Sequence, residues 1–294
     1  MFWLLIGILA YFFLALSSLG DKIFLKGKQD PKTYVFYVGL LSGLVILIIP
    51  FINCNSISIW PLLEGVIYIV ALYTMYFALD RFEVSVVMPI LGGLQVVFIF
   101  FLSIIFFQIK EVSLRNIIAL FALIIGTFLI SFDKSKAKIK SKELLFCTLS
   151  AFLFALDFIL TKQVFNTHSF FEGLVYMRLT SFFIVFLFLL NKDFRRNIFK
   201  IKKKNNKKLI FIFAQTAGAI GILLQSYAIS LASVFNLAIL NALKGVQYVF
   251  LLILTFLIST LYSNVLKENF TKRNLILKVV SILIIVIGIA LLTI

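Results

Sequence analysis

Long apolar runs recur along almost the whole chain. Each run has about 20 residues, which lets a helix cross roughly 30 Å of hydrocarbon. A membrane β-barrel would instead show segments of about 10 residues with alternating apolar and polar positions. The sequence therefore predicts an all-α membrane protein with ten transmembrane helices, at approximately residues 2–19, 33–52, 58–79, 84–107, 116–132, 144–161, 170–190, 209–230, 232–261 and 274–294.

The composition also favours a membrane environment. The 294 residues are 62% hydrophobic and 14% charged, whereas a soluble domain is about half apolar and about a quarter charged. The stretches between the apolar runs are too short to form a soluble domain. We therefore expect an integral, multi-pass protein of the plasma (inner) membrane, whose function depends on helices and short loops.

The net charge of +16 is better explained by orientation in a membrane than by nucleic acid. Most of the 28 basic residues lie in alternate loops, those that follow the odd-numbered runs. The loops on the other side contain only Lys110, Arg115 and Lys162. By the positive-inside rule, the odd loops are cytoplasmic and both termini lie outside. We expect no nucleic-acid partner, and we expect basic residues in the loop 191–208 to contact anionic membrane lipid.

Polar residues recur in the same order in the two halves of the chain. Leu94-Gln95-Val96-Val97-Phe98 recurs as Val246-Gln247-Tyr248-Val249-Phe250, and Lys110-Glu111 recurs as Lys267-Glu268. Such internal similarity indicates a duplicated unit.

The number of runs in each half determines how the two units are related. Because five is an odd number, the second half enters the membrane in the opposite sense. The predicted fold is therefore two inverted five-helix repeats, residues 1–132 and 143–294. This arrangement is suited to alternating access at a central site.

Four ionisable residues stand out among those inside the predicted helices, where a charge costs about 2.5–3.5 kcal/mol on insertion scales. They are Glu64, Asp157, Arg178 and Lys244. Arg178 and Lys244 lie near the middle of their runs, so they are candidates for binding an anionic group such as a carboxylate or phosphate. In the alternative interpretation, Asp157 neutralises Arg178 as a structural ion pair. The two interpretations are compatible, because transporters can use such a pair as a gate or as a proton-coupled switch.

Other polar side chains are candidates for lining the same site. Gln95 and Gln247 occupy corresponding places in the two halves, so they could bind a substrate from two sides or hydrogen-bond across helices. Glu64 lies about two turns inside its run, so its carboxylate could approach the lipid headgroups instead of lining the site. The predicted substrate-binding residues are Arg178, Lys244, Asp157, Gln95, Gln247, Tyr176 and Glu64.

A membrane enzyme is the main alternative from another functional class. The single histidine, His168, falls in a predicted loop, and the sequence lacks an Asp-rich metal motif, a nucleophile elbow and a paired-histidine zinc motif. We therefore expect no catalytic residue, no metal and no cofactor. A flippase for a lipid-linked precursor is a closer alternative, because the same basic cavity could accept a phosphate headgroup.

The run Tyr76–Phe98, with Pro89 near the start of a helix and a Lys-Glu pair after its end, resembles the EamA domain of the drug/metabolite transporter superfamily. The second half resembles a second such domain. Arg178 resembles the arginine found in the second helix of a repeat, and Glu111 and Glu268 resemble the glutamate after the fourth. The resemblance implies a ten-helix transporter of a small metabolite without a bound cofactor.

The chain departs from this family pattern at two positions. Gly39 stands in place of the arginine in the first half, and Asn241 stands where the second half would have its proline. The predicted mechanism is secondary transport, in which the two halves rock about a site near the midplane. Proton coupling would use Asp157 or Glu64.

Overall fold

A computed structural model describes residues 2–24, 31–52, 58–81, 84–108, 113–131, 141–192, 194–195, 208–261 and 272–293. Within these ranges the chain forms helices and no strand. Seven helices are long and apolar enough to cross a membrane, and three shorter apolar helices lie among them. The predicted all-helical, multi-pass class of protein is therefore confirmed.

The α-helices are α1 Phe2–Phe24, α2 Pro31–Ser42, α3 Ile59–Arg81, α4 Val84–Phe107, α5 Leu114–Ser131, α6 Ser141–Thr167, α7 Phe170–Val185, α8 Lys208–Leu231, α9 Asn236–Ala242, α10 Lys244–Leu261 and α11 Lys272–Thr293.

Two of these helices end in a tighter 3₁₀ segment. Helix α2 begins at Pro31, whose fixed φ suits the first turn of a helix. It continues as a 3₁₀ helix over Gly43–Phe51, and α7 continues in the same way over Phe186–Leu190. Pro50 has no backbone N–H to extend the first segment, and Ile52 is already extended at φ −125° and ψ 147°.

A single residue separates the short helix α9 from α10. Leu243 lies at φ −61° and ψ −6°, and its carbonyl accepts a 2.8 Å hydrogen bond from the N–H of Val246. Residues from Leu237 to Ala242 are all buried. Irregular backbone at membrane depth is tolerated where it is covered by protein, so this break is suited to a site inside the bundle.

The helices pack mainly across the two halves of the chain. Helix α1 packs on α8 and α10, and α6 packs on α3 and α4. Helix α2 lies against α7, α4 against α9, and α5 against α11. Much of the buried core, including Tyr11, Ile99, Ile159 and Leu240, lies between these cross-half pairs.

Helices α5 and α11 approach each other closely through two glycines. A Cβ at Gly126 would lie 2.6 Å from Ile285 Cγ1 and 3.1 Å from the carbonyl oxygen of Ser281. A Cβ at Gly288 would lie 3.0 Å from Leu123 Cγ and 3.3 Å from the carbonyl oxygen of Ala119. Small residues permit such approach between membrane helices.

Large apolar side chains cover the outer faces of the bundle. Leu47 is 71% exposed and Ile105 is 70% exposed, and many other leucine, isoleucine and phenylalanine side chains are turned outward. A soluble monomer rarely exposes apolar patches of this extent. The polar side chains Glu64, Gln95, Asn241 and Gln247 are buried instead.

Candidate functional site

Lys244 lies at the break between α9 and α10 and forms the centre of one polar cluster. Its Nζ donates a 3.3 Å hydrogen bond to Oε1 of Gln95 on α4. Lys244 forms no salt bridge with any residue that the structure describes. An ammonium at membrane depth without an acidic neighbour is costly, so it is a place where an anion would be stabilised.

Tyr11 connects this break to α1 and α8. Its hydroxyl accepts a 3.2 Å hydrogen bond from Nε2 of Gln225 and donates to the backbone carbonyl of Asn241 at 3.4 Å. The side-chain oxygen of Asn241 is buried and accepts no hydrogen bond. An orphaned acceptor two residues before Leu243 adds a second group that a bound molecule can satisfy.

Gly92 leaves space beside the lysine. A Cβ at this position would lie 3.4 Å from the hydroxyl oxygen of Tyr248 and 4.0 Å from Cδ of Lys244. On the neighbouring turn of α10, Gln247 donates a 3.1 Å hydrogen bond from Nε2 to the Ser18 hydroxyl. Lys244 and its surroundings, Gln95, Tyr11, Gln225, Asn241 and Gln247, are called the lysine cluster below.

The predicted glutamines therefore differ in their surroundings. Gln95 and Gln247 both hydrogen-bond across helices, which fits the interpretation that they hold helices together. Gln95 alone bonds to the unpaired cation, so it is also placed to orient that cation. Sequence alone did not indicate Tyr11, because one tyrosine in an apolar run has no distinguishing pattern.

Arg178 and Glu64 form a buried salt bridge in a second polar cluster. Nη2 of Arg178 lies 3.3 Å from Oε1 of Glu64, and the two side chains are 13% and 0% exposed. The guanidinium carbon also lies 4.5 Å from the ring centre of Tyr68, which is a cation–π geometry. The acid and the ring lie one helical turn apart on α3, so both face α7.

Asp157 lies on α6, which packs on α3, and the buried carboxyl groups of Asp157 and Glu64 interact electrostatically across this contact. The ion pair proposed for Asp157 and Arg178 is therefore made by Glu64 instead, although Asp157 is within the field of the arginine. Glu64 is fully buried, so it does not reach the headgroups. Glu64, Asp157 and Arg178, with Tyr68 and Thr161, are called the acid–arginine cluster below.

Close packing of α3 on α7 brings Glu64 to Arg178. A Cβ at Gly65 would lie 2.5 Å from Cβ of Thr180 and 2.8 Å from the carbonyl oxygen of Met177. The hydroxyl of Ser181 lies 3.4 Å from the carbonyl oxygen of Gly65. The glycine thus lets the helix backbones approach, which a residue with a side chain would prevent.

Tyr176 lies on α7, where its ring contacts the turn between α6 and α7. Its buried ring contacts the ring of His168 edge-on, with 5.7 Å between the ring centres. The predicted substrate-binding set is thus divided between the two clusters, with Tyr176 beside the turn between α6 and α7.

Lys162 is a buried helical residue and not a loop residue as predicted. Helix α6 continues to Thr167, and Nζ of Lys162 donates hydrogen bonds of 3.3 and 3.0 Å to the carbonyls of Ile229 and Ser230. A cation at the C-terminal end of a helix is favoured by the helix dipole. Lys162 therefore holds the end of α8 against α6.

Both Lys-Glu pairs of the sequence analysis, Lys110-Glu111 and Lys267-Glu268, lie outside the described residues. Their predicted roles stay predictions.

Comparison with known proteins supports the fold alone. No family model and no curated protein matches this chain, while 28 chains of solved structures do. One of them, described only as "Crystal structure of protein", has a TM-score of 0.69 at 14% sequence identity, over 99% of this chain and 96% of that chain.

Proposed function

We propose that the chain crosses the membrane ten times as two inverted five-helix repeats, residues 1–132 and 143–294. Seven long apolar helices and three shorter ones supply the segments. Exchanging the halves converts the α1–α8 contact into the α6–α3 contact. It also converts the α1–α10 contact into the α6–α4 contact. Such exchange is what a two-fold axis in the membrane plane would produce.

The contact between α5 and α11 supports the same repeat residue by residue. Gly126 approaches Ile285 and Gly288 approaches Leu123. The same number of residues along the chain separates Gly126 from Gly288 and Leu123 from Ile285. Replacing each residue by its counterpart in the other half therefore converts the Gly126–Ile285 contact into the Gly288–Leu123 contact. The 3₁₀ ends of α2 and α7 occupy corresponding places as well.

The function that the geometry supports best is secondary transport of a small metabolite by alternating access. The observation that carries this proposal is Lys244, a cation with no described acidic partner, which lies at a helix break inside the bundle. Discontinuous helices form the substrate sites of many transporters. An ammonium recognises a carboxylate or phosphate as a point charge, so the substrate carries an anionic group.

We also propose that the chain belongs to the EamA-domain transporters. The support for this membership is the sequence resemblance around Tyr76–Phe98 and the cross-half packing of ten helical segments. The distribution of basic residues supports cytoplasmic odd loops in a plasma (inner) membrane. Rocking of one half against the other would expose Lys244 to each side in turn.

Uptake into proteoliposomes tests the role of Lys244. Labelled amino acids, nucleotides and organic acids are offered to the wild type, to Lys244→Gln and to the surface control Lys192→Gln. Loss of a hydrogen bond to a charged group costs about 1.5–3 kcal/mol, which is about a 10- to 150-fold rise in KM for the transported anion. The control should match the wild type.

An unchanged KM in the Lys244→Gln variant would contradict the proposed site. If Lys244→Gln transports every wild-type substrate with unchanged KM, Lys244 does not bind the anion and the proposed site is wrong. A Lys244→Arg variant separates charge from shape, because arginine keeps the charge but is larger and planar. We expect it to retain more affinity for the anion than Lys244→Gln.

A further inference from the structure

The acid–arginine cluster has one positive charge and two carboxyl groups. Arg178 donates to Oε1 of Glu64, while Oε2 of Glu64 and Oδ1 of Asp157 are buried and have no hydrogen-bond partner. Buried polar atoms are nearly always satisfied. Two neighbouring carboxylates cannot satisfy each other, because an ionised carboxylate only accepts hydrogen bonds.

In the part of the chain that the structure describes, two hydroxyls near the pair are directed at backbone carbonyls. The hydroxyl of Thr161 lies 2.9 Å from the backbone carbonyl of Asp157, and that of Ser181 lies 3.1 Å from the carbonyl of Met177. Nε of Arg178 is itself without an acceptor, so it is not directed at either carboxyl oxygen.

The charges around Glu64 and Asp157 also indicate that one of the two carboxyl groups is protonated. Tyr68 on α3 faces the arginine with its ring, and Lys162 on α6 bonds to the carbonyls of α8. Among the described residues, Arg178 is therefore the cation that balances the pair, and one negative charge is left over. A buried uncompensated charge costs several kcal/mol, and like-charged carboxyls in one site favour protonation of one of them.

We propose that Glu64 and Asp157 hold one proton between them, with Arg178 as the fixed counter-ion, and that this pair is the proton site of the transporter. The proton comes from water and forms an O–H bond on one carboxyl, which then donates to an oxygen of the other. Both orphaned carboxyl groups are satisfied, and the cluster becomes neutral. Arg178 is thereby a positioning residue and is not a substrate ligand.

The second part of the proposal rests on the proposed transport function, whereas the first does not. Protonation changes the charge of a cluster that joins α3, α6 and α7, so it can bias the packing of α6 from one half on α3 from the other. The lysine cluster binds the anion on different helices. The proton and the anion would then bind at different helix contacts. The transporter could carry them across the membrane in the same direction or in opposite directions.

Infrared spectroscopy tests the shared proton without any substrate. A protonated carboxyl has a C=O stretching band that a carboxylate lacks. We expect one such band from buried carboxyls at neutral pH in the wild type. It should be lost or shifted in Glu64→Gln and in Asp157→Asn, and retained in Glu172→Gln, a buried glutamate elsewhere on α7.

Isotope labelling makes the result independent of how the variants fold. Wild-type protein is labelled with a heavy carbon at the side-chain carboxyl of aspartate or of glutamate, and at least one of the two labels should shift the band. Absence of the band, or a band that is lost only in Glu172→Gln, would overturn the shared proton, and the anion site at Lys244 would be unaffected.

Transport then tests the coupling. For the substrate identified in the uptake assay, Asp157→Asn should lose accumulation driven by a pH gradient and retain counterflow exchange, in which no net proton movement is needed. Gradient-driven accumulation equal to that of the wild type would refute the coupling even where the infrared band is present.

Discussion

Removal of the Arg178 guanidinium should destabilise the protein strongly. Arg178→Met replaces the apolar stem of arginine by a side chain of similar length. It removes the positive charge that pairs with the fully buried carboxylate of Glu64. Breaking a buried ion pair by deleting one partner costs about 3–5 kcal/mol. The cation–π contact with Tyr68 adds about 0.5–2 kcal/mol to the loss. The cost should decrease at acidic pH, because a second proton would neutralise the remaining carboxylate.

A double variant separates the charge from the packing. In Glu64→Gln/Arg178→Met the uncompensated carboxylate at position 64 is removed. We expect the double variant to be more stable than Arg178→Met by about 0.5–3 kcal/mol, the usual coupling range for contacting residues. Arg195→Met removes an exposed arginine after α7 and should change stability by less than about 0.5 kcal/mol.

The assay is equilibrium unfolding of purified protein in mixed micelles, followed by circular dichroism. The free energy of unfolding is measured for the wild type, Glu64→Gln, Arg178→Met, the double variant and Arg195→Met. The reasoning fails if Arg178→Met is no less stable than Arg195→Met. It also fails if the double variant is less stable than Arg178→Met.

Two further substitutions test the packing. Gly126→Ala should lower the free energy of unfolding by about 1–3 kcal/mol, because its Cβ would overlap Ile285. The matched change Gly92→Ala should be neutral or stabilising by up to about 1 kcal/mol, since its Cβ would meet Tyr248 and Lys244 at ordinary contact distances. Lys162→Met should cost about 1.5–3 kcal/mol, because two charged hydrogen bonds to the end of α8 are lost. The same unfolding measurement checks all three, and equal effects at the two glycines would contradict the packing described.

The helical fold followed from the sequence because hydrocarbon requires every backbone group to bond within its own segment. The lengths of the apolar runs therefore indicated helices and their approximate bounds. The change to 3₁₀ geometry after Ser42 and the break at Leu243 depend on tertiary contacts, and no residue in the sequence marks them clearly. Helix α6 extends beyond its apolar run because Lys162 finds carbonyl partners on α8.

The ionisable members of the candidate site could be selected from the sequence, but their partners could not. Asp157 and Arg178 have similar depth, which made them an expected pair. Depth in the membrane gives no information on the rotation of each helix about its axis. Gly65 lets α3 approach α7 closely enough for Glu64 to form the salt bridge with Arg178. Tyr11 was missed because its importance lies in two hydrogen bonds to α8 and α9, which sequence spacing does not encode.

The packing across halves has a consequence for synthesis of the chain. Helix α1 is covered by α8 and α10, and α6 is covered by α3 and α4. Domains usually fold in the order in which they are made, but the first five helices here cannot bury their inner faces by themselves. Polar side chains such as Tyr11 and Glu64 enter the bilayer before their partners exist. These two side chains therefore gain their partners Arg178 and Gln225 only when α7 and α8 have been inserted.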